Sequence, residues 1–358
     1  MMKPKIPIRL IAVLALSFLA ACNIKIAIVP TGATPLSIFS TSTATAVPTA
    51  TLRPTPDLKC TKTNCMDACI SKIASMLKSN GVSPQTKAAT PQNMNITPTV
   101  LAIYDVQGDQ LGAPKFTSNI SADLLGYQQN TAAQQAVWNF FVALIPPDQR
   151  TEVSNFIISS DGKGGMLASV QQNLDDPKKW ALNVDIVDAA NPRSLTFTLI
   201  HEFGHLLTLN DTQVTMDTKV MTSPLDMQLQ AQEASGCPQF FTTNGCSQPN
   251  SYIDQFYNKF WPKLYPEWSK INAQRNVNGY FTLIGNFYQR HPTQFVSPYA
   301  ATSPEEDIAE TWARFVLTTK PQPDSISERK TLFFYDFPEL VQLRNQIVYG
   351  LCNYSQNQ

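Results

Sequence analysis

Residues 194–211 read SLTFTLIHEFGHLLTLND, and the run His201-Glu202-Phe203-Gly204-His205 inside it decides how the rest of the chain is understood. Leu195, Leu199, Phe203 and Leu206 recur at helical spacing, so the stretch predicts a largely buried helix over 194–209, stopped by Asn210 and Asp211. Residues four apart share a helical face, which lets both imidazoles reach one metal ion. Glu202, turned by about 100°, can address a water on that ion. The chain holds only three histidines, and two of them stand here. Two histidines on an ordinary helix need no metal, but the apolar flanks imply burial, and buried polar groups need partners. Gly204 costs a helix interior about 1 kcal/mol relative to alanine, which is easier to understand if another element packs closely against it.

A catalytic zinc site takes three protein ligands and leaves a position open for water, so the third ligand must come from elsewhere. At 303–310 the chain reads SPEEDIAE, with Ser303 as a helix cap and Pro304 in the first turn. Glu306, Ala309, Glu310 and Ala313 share one face, and the alanines allow close approach to a second helix. Glu306 is the expected third ligand, with Glu305 and Glu310 as alternatives. Ser303 and Glu306 also spell a capping box, in which the glutamate needs no metal. Asp211 competes for the role: counted from His201 it falls where metzincins carry their third ligand, with Met221 available as a Met-turn. Thr208, however, replaces the glycine at which a metzincin chain reverses.

With these residues in view, the chain resembles the gluzincin metallopeptidases, whose HExxH is followed by a distant helix supplying a glutamate. The nearest likeness is to the lethal-factor-like and Pro-Pro endopeptidase group, where a tyrosine stands seven residues before that glutamate and an acidic residue four after it. In YAATSPEEDIAE these are Tyr299, Glu306 and Glu310. The resemblance covers some 30 residues of 358. It implies one Zn2+ ion on His201, His205 and Glu306, with Glu202 as general base. It further implies that Tyr299 stabilises the oxyanion and that Glu310 orients a ligand histidine. The implied activity is that of a zinc-dependent metalloendopeptidase acting on a peptide or protein substrate, on a zincin-like α+β fold. A different class, a lipid-anchored binding or adhesion module that keeps the metal without turnover, would be expected to lack a base, and Glu202 is present. The third histidine, His291, is expected to be an exposed loop residue rather than an oxyanion partner.

Lys3, Lys5 and Arg9 precede an apolar run over 10–16 and 18–21 that is too short to span a bilayer. The run ends in Leu19-Ala20-Ala21-Cys22, which resembles a bacterial lipobox. Residues 1–21 are therefore expected to be a lipoprotein signal peptide, and Cys22 the lipidated residue that anchors the chain to the outer face of a bacterial membrane. Residues 30–57 hold eight threonines, five prolines and three serines. Such a composition cannot bury enough surface to fold, so 22–59 is expected to be a tether, spanning about 35 Å as a coil. Without Cys22, six cysteines remain: Cys60, Cys65, Cys69, Cys237, Cys246 and Cys352. An even number in an exported chain predicts up to three disulfides. Cys237 and Cys246 are expected to pair locally, and the other four to staple 60–80 onto the body and the C-terminus. A metal site at Cys60, Cys65 and Cys69 is the alternative, although their spacing matches no common zinc or iron-sulfur pattern.

The balance of 27 Lys+Arg against 27 Asp+Glu argues against a nucleic-acid binder, which needs clustered cations, while 43% hydrophobic content is enough to fill a core. Strands are expected over 100–106, 156–159, 166–171 and 182–187, the third as an edge that could align a peptide. Thr131 with Gln134 predicts a capping box opening a helix that runs to 144 and ends at Pro146 and Pro147. Further helices are expected around 64–79, 253–260, 305–317 and 338–349, the last with Asp336 and Glu339 as its capping pair and Gly350 as its stop. The resulting organisation is a Cys-containing helix and linker over 60–98 and a domain over 99–358. That domain divides into a sheet-bearing part, 99–210, and a mostly helical part, 211–358.

Overall fold

A computed structural model describes Cys69 and residues 98–162, 167–275 and 278–354. By its contacts the chain divides into two units, Met1–Thr51 and Leu52–Gln358, and all described residues belong to the second. The expected signal peptide, Cys22, the tether, Cys60, Cys65 and most of the 64–79 helix lie outside the described residues.

The described residues form an α+β fold whose main sheet has the order β2-β1-β4-β6-β5, with β3 also paired to β1. These strands are β1 (Thr99–Gln107), β2 (Gln110–Leu111), β3 (Lys115–Phe116), β4 (Val153–Ser160), β5 (Ala168–Gln172) and β6 (Trp180–Asp185). The sheet is mixed: β4 and β6 run parallel, while β1–β4 and β5–β6 are antiparallel. Central strands meet the core on their apolar positions, so Phe156, Ile158, Leu182 and Val184 are fully buried. The short α1 (Leu125–Gln129) leads into α2 (Thr131–Leu144), whose Trp138 packs 5.3 Å from Phe156, ring centre to ring centre. The α2 cap differs from expectation: Asn130 accepts the Ala133 N–H, one position earlier than Thr131. Gln134 is drawn instead into a buried network with Tyr104 and the carbonyls of Tyr127 and Gln128.

The second half is mostly helical. After α3 (Pro192–Leu209) come α4 (Thr218–Thr222), α5 (Met227–Ser235), α6 (Tyr252–Phe260), α7 (Tyr265–Asn272) and α8 (Tyr280–Arg290). They are followed by α9 (Pro304–Leu317), α10 (Ile326–Phe333) and α11 (Pro338–Tyr354). A small sheet of β7 (Val214–Met216), β8 (Phe241–Thr242) and β9 (Gly245–Ser247) carries the Cys237–Cys246 disulfide. A second disulfide joins Cys69 to Cys352, with Cα atoms 4.9 Å apart across 283 residues of sequence. Gly350 does not stop α11. It lies inside the helix, where a Cβ would sit 2.0 Å from the Ala143 carbonyl oxygen of α2, so glycine is needed for the two backbones to touch. Asp336 and Glu339, expected as its capping pair, reach Lys259 and Tyr252 of α6 instead.

No helix among the described residues is long and apolar enough to cross a membrane.

Candidate metal centre

Helix α3 begins two residues before the expected Ser194. Pro192 supplies the first-turn backbone angle, and the Asn191 side chain accepts the N–H groups of Arg193 and Ser194, each at 3.1 Å. The helix inserts beside β5 and against α9, leaving His201 only 5% and Glu202 only 6% exposed. Gly204 sits at the crossing with α9: a Cβ there would lie 3.2 Å from Ala309 Cα and 3.1 Å from Trp312 Cδ1. Its missing side chain is what lets α9 come close enough to present a carboxylate to the histidines. Thr208 continues the helix by donating to the Gly204 carbonyl at 2.8 Å, where a metzincin chain would turn.

Ser303 caps α9 by accepting the Glu306 N–H at 3.1 Å. The reciprocal half of the expected capping box is absent, because the Glu306 carboxylate turns toward α3. Its Oε2 lies 3.1 Å from His201 Nε2 and 3.3 Å from His205 Nε2, and the two Nε2 atoms are 3.1 Å apart. Three donor atoms therefore form a nearly equilateral triangle. A tetrahedral ion with bonds of about 2.0–2.1 Å to nitrogen and oxygen sets its ligand atoms roughly 3.3–3.4 Å apart, so the donor set fits such an ion with little adjustment. Glu306 Oε2 is buried and accepts no hydrogen bond, and lone pairs facing one another at this range repel unless a cation stands between them. His201, His205 and Glu306 can thus hold a metal ion.

The surrounding charges act in the same sense. Burial pulls the His201 imidazole down, but the Glu306 and Glu310 carboxylates set against its two nitrogens outweigh it and carry the ring up to about 10. Burial raises the Glu306 carboxyl, yet the two imidazoles hold it well below the usual carboxylate range. Burial pushes Glu202 up; the two imidazoles and the Val170 N–H of β5 pull the other way. That backbone bond is a contact sequence reasoning did not anticipate. Burial, then the carboxylates of Glu306, Glu202 and Glu310, keep the Tyr299 phenol well above its ordinary value. The Tyr299 ring centre is 5.9 Å from that of His201, and the residue, 43% exposed as a whole, has its phenol oxygen enclosed beside Glu306.

Glu310 stands behind the ligand: its Oε1 is 3.1 Å from His201 Nδ1, and its Oε2 accepts the Ser297 hydroxyl at 2.5 Å. Ser297 was not singled out from the sequence: Ser297-Pro298 signals a turn, and its hydroxyl does accept the Ala300 N–H, but nothing in that pattern points to Glu310. The competing ligands lie elsewhere. Glu305 is buried but turned away, accepting the Thr243 N–H at 2.9 Å. Asp211 pairs with Lys178 at 3.1 Å, and Met221 lies in the short helix α4. His291 closes α8 and contacts Glu267 at 2.8 Å. A second acidic group, Asp161, Asp185 and Asp188, also gathers within one ion's reach. There Asp185 accepts the N–H groups of Asp161 and Val187, which explains its inward orientation without a metal.

Comparison with known protein families, curated proteins and solved structures finds no match.

Proposed function

We propose that the chain is an exported zinc metalloendopeptidase of gluzincin type, with a zincin-like domain held to a membrane through lipidated Cys22. The observation that carries this reading is the triangle of two imidazole nitrogens and one carboxylate oxygen, with an ionisable Glu202 beside it. His201, His205 and Glu306 would hold the zinc, which when bound supplies Lewis acidity to a scissile carbonyl and to the attacking water. Glu202 takes the water proton and returns it to the leaving amine, its carboxylate aimed by the Val170 N–H. The Tyr299 hydroxyl donates to the developing oxyanion. The two disulfides support an oxidising, extracytoplasmic setting.

Strand β5 supports a peptide substrate. It is the sheet edge, and Leu167 and Asn173 pair with the β6 side, so the odd residues 169 and 171 face β6 as well. The backbone groups of Ala168 and Gln172 and the Val170 carbonyl then point outward, available to an extended chain by strand addition. Val170 N–H is the exception, being taken by Glu202.

Two variants test the reading. Glu202→Gln should retain zinc and lose hydrolysis of a mixed peptide library, while Glu306→Gln should lower metal content. Full zinc in Glu306→Gln together with loss in Asp211→Asn would overturn the ligand set. Zinc uptake without any chelator-sensitive cleavage would leave a binding module.

A further inference from the structure

Behind His201 the polar contacts run in one chain. His201 Nδ1 faces Glu310 Oε1 at 3.1 Å, Glu310 Oε2 accepts the Ser297 hydroxyl at 2.5 Å, and Ser297 Oγ accepts the Ala300 N–H at 3.1 Å. Ala300 and Ala301 are fully buried in the turn Tyr299–Ala301, which packs on α9. A carboxylate with one oxygen on a ligand histidine is free to rotate unless its other oxygen is held, and among the described residues the Ser297 hydroxyl holds it.

We propose that Ser297 is a positioning residue for the metal centre: it locks the Glu310 carboxylate so that His201 presents Nε2 to the ion. The proposal rests on the metal reading above. The same hydroxyl anchors the turn carrying Tyr299, so one side chain sets both the orientation of a ligand and the place of the oxyanion donor. Groups behind a ligand histidine fix its tautomer and ring plane, and losing one typically costs 10–100-fold in metal affinity. Ser297 acts through Glu310, which makes its effect conditional on that carboxylate.

The test is a double-mutant cycle on the full chain, reading zinc dissociation constants by chelator competition and the visible spectrum of the cobalt form. Ser297→Ala should weaken zinc binding by about tenfold and shift the cobalt bands, and Ser297→Thr, which keeps the hydroxyl, should restore both. Glu310→Gln should weaken binding at least as much, and adding Ser297→Ala to it should cost little more. Affinity in Ser297→Ala within twofold of the parent, or losses that multiply in the double variant, would overturn the proposal. If the parent itself takes up no zinc, the metal reading falls and this inference with it. If the parent loads and Ser297→Ala loads equally well, only the positioning role falls.

Discussion

Gly204 shows how much one absent methyl group can decide. Two helices from distant parts of the chain meet over it, with Ala309 and Trp312 filling the space a side chain would need. Gly204→Val should therefore cost about 1–3 kcal/mol through overpacking. Because the strain falls one turn from Glu306, zinc affinity should drop in parallel with the urea midpoint; an unchanged affinity would mean the crossing does not set the site. Asp185 offers a pH test at the same scale. Burial pushes its carboxyl up to about 7, against the Asp161 and Val187 N–H groups that pull it down. Its folded pKa thus lies above the unfolded value of about 4, and the folded chain binds this proton more tightly. That stabilisation is complete below pH about 4 and is lost as pH rises through 7. Urea midpoints of Asp185→Asn measured from about pH 5 to 8 should fall less steeply than those of the parent. At this scale His201, Glu202 and His205 were legible, since helical spacing alone puts them together. Val170 and Ser297 were not, because a backbone N–H and a lone hydroxyl act through position, which composition does not record.

Among the elements, α9 carries Glu306, and a buried ion pair pins its first turn. Lys330 of α10 and Asp307, next to Glu306, are both fully buried and hydrogen-bonded to each other. The Trp261 indole also donates to Asp307 at 2.8 Å, and the Lys330 ammonium stands 4.4 Å from the Phe295 ring centre. Lys330→Met leaves a carboxylate buried without its cation, at an expected cost of about 3–5 kcal/mol. Adding Asp307→Asn should recover part of that loss, since the amide still accepts from Trp261. Thermal unfolding checks both, and a loss below about 1 kcal/mol in the single variant would show that water reaches the site. Among the described residues, four of the nine strands, β1, β4, β5 and β6, and five of the eleven helices, α2, α3, α6, α9 and α11, were legible from periodicity and caps, and the shorter elements between them were not. Within the legible helices tertiary contact also overrode local signal: Gly350 reads as a stop but serves a backbone-to-backbone contact with α2, and Gln134 reads as a cap but completes a buried network.

At the scale of the whole molecule, His201, His205 and Glu306, which together could hold a metal ion, come from the sheet-bearing and the helical halves, much as the Cys69–Cys352 disulfide ties residue 69 to the C-terminal helix. An ion that binds only the folded chain stabilises it by mass action, about 3–4 kcal/mol when free zinc stands at 100 to 1,000 times its dissociation constant. Chelation should therefore lower the melting temperature of the parent and leave that of Glu306→Gln nearly unmoved, measured by calorimetry at fixed pH. Equal shifts in both would mean that chelator acts elsewhere. The order of residues alone was enough for the two histidines and the glutamate between them, the helix that bears them, the local Cys237–Cys246 bridge and the four long strands β1, β4, β5 and β6, because each follows from spacing within a short stretch of chain. Packing in three dimensions settled that Glu306 rather than Asp211 or Glu305 meets the imidazoles, that the expected edge strand β5 gives its Val170 N–H to Glu202, and that Ser297 stands behind Glu310. Those choices depend on how far apart two segments lie in space and which way a side chain turns once its neighbours are packed, and neither quantity is written in the order of the residues.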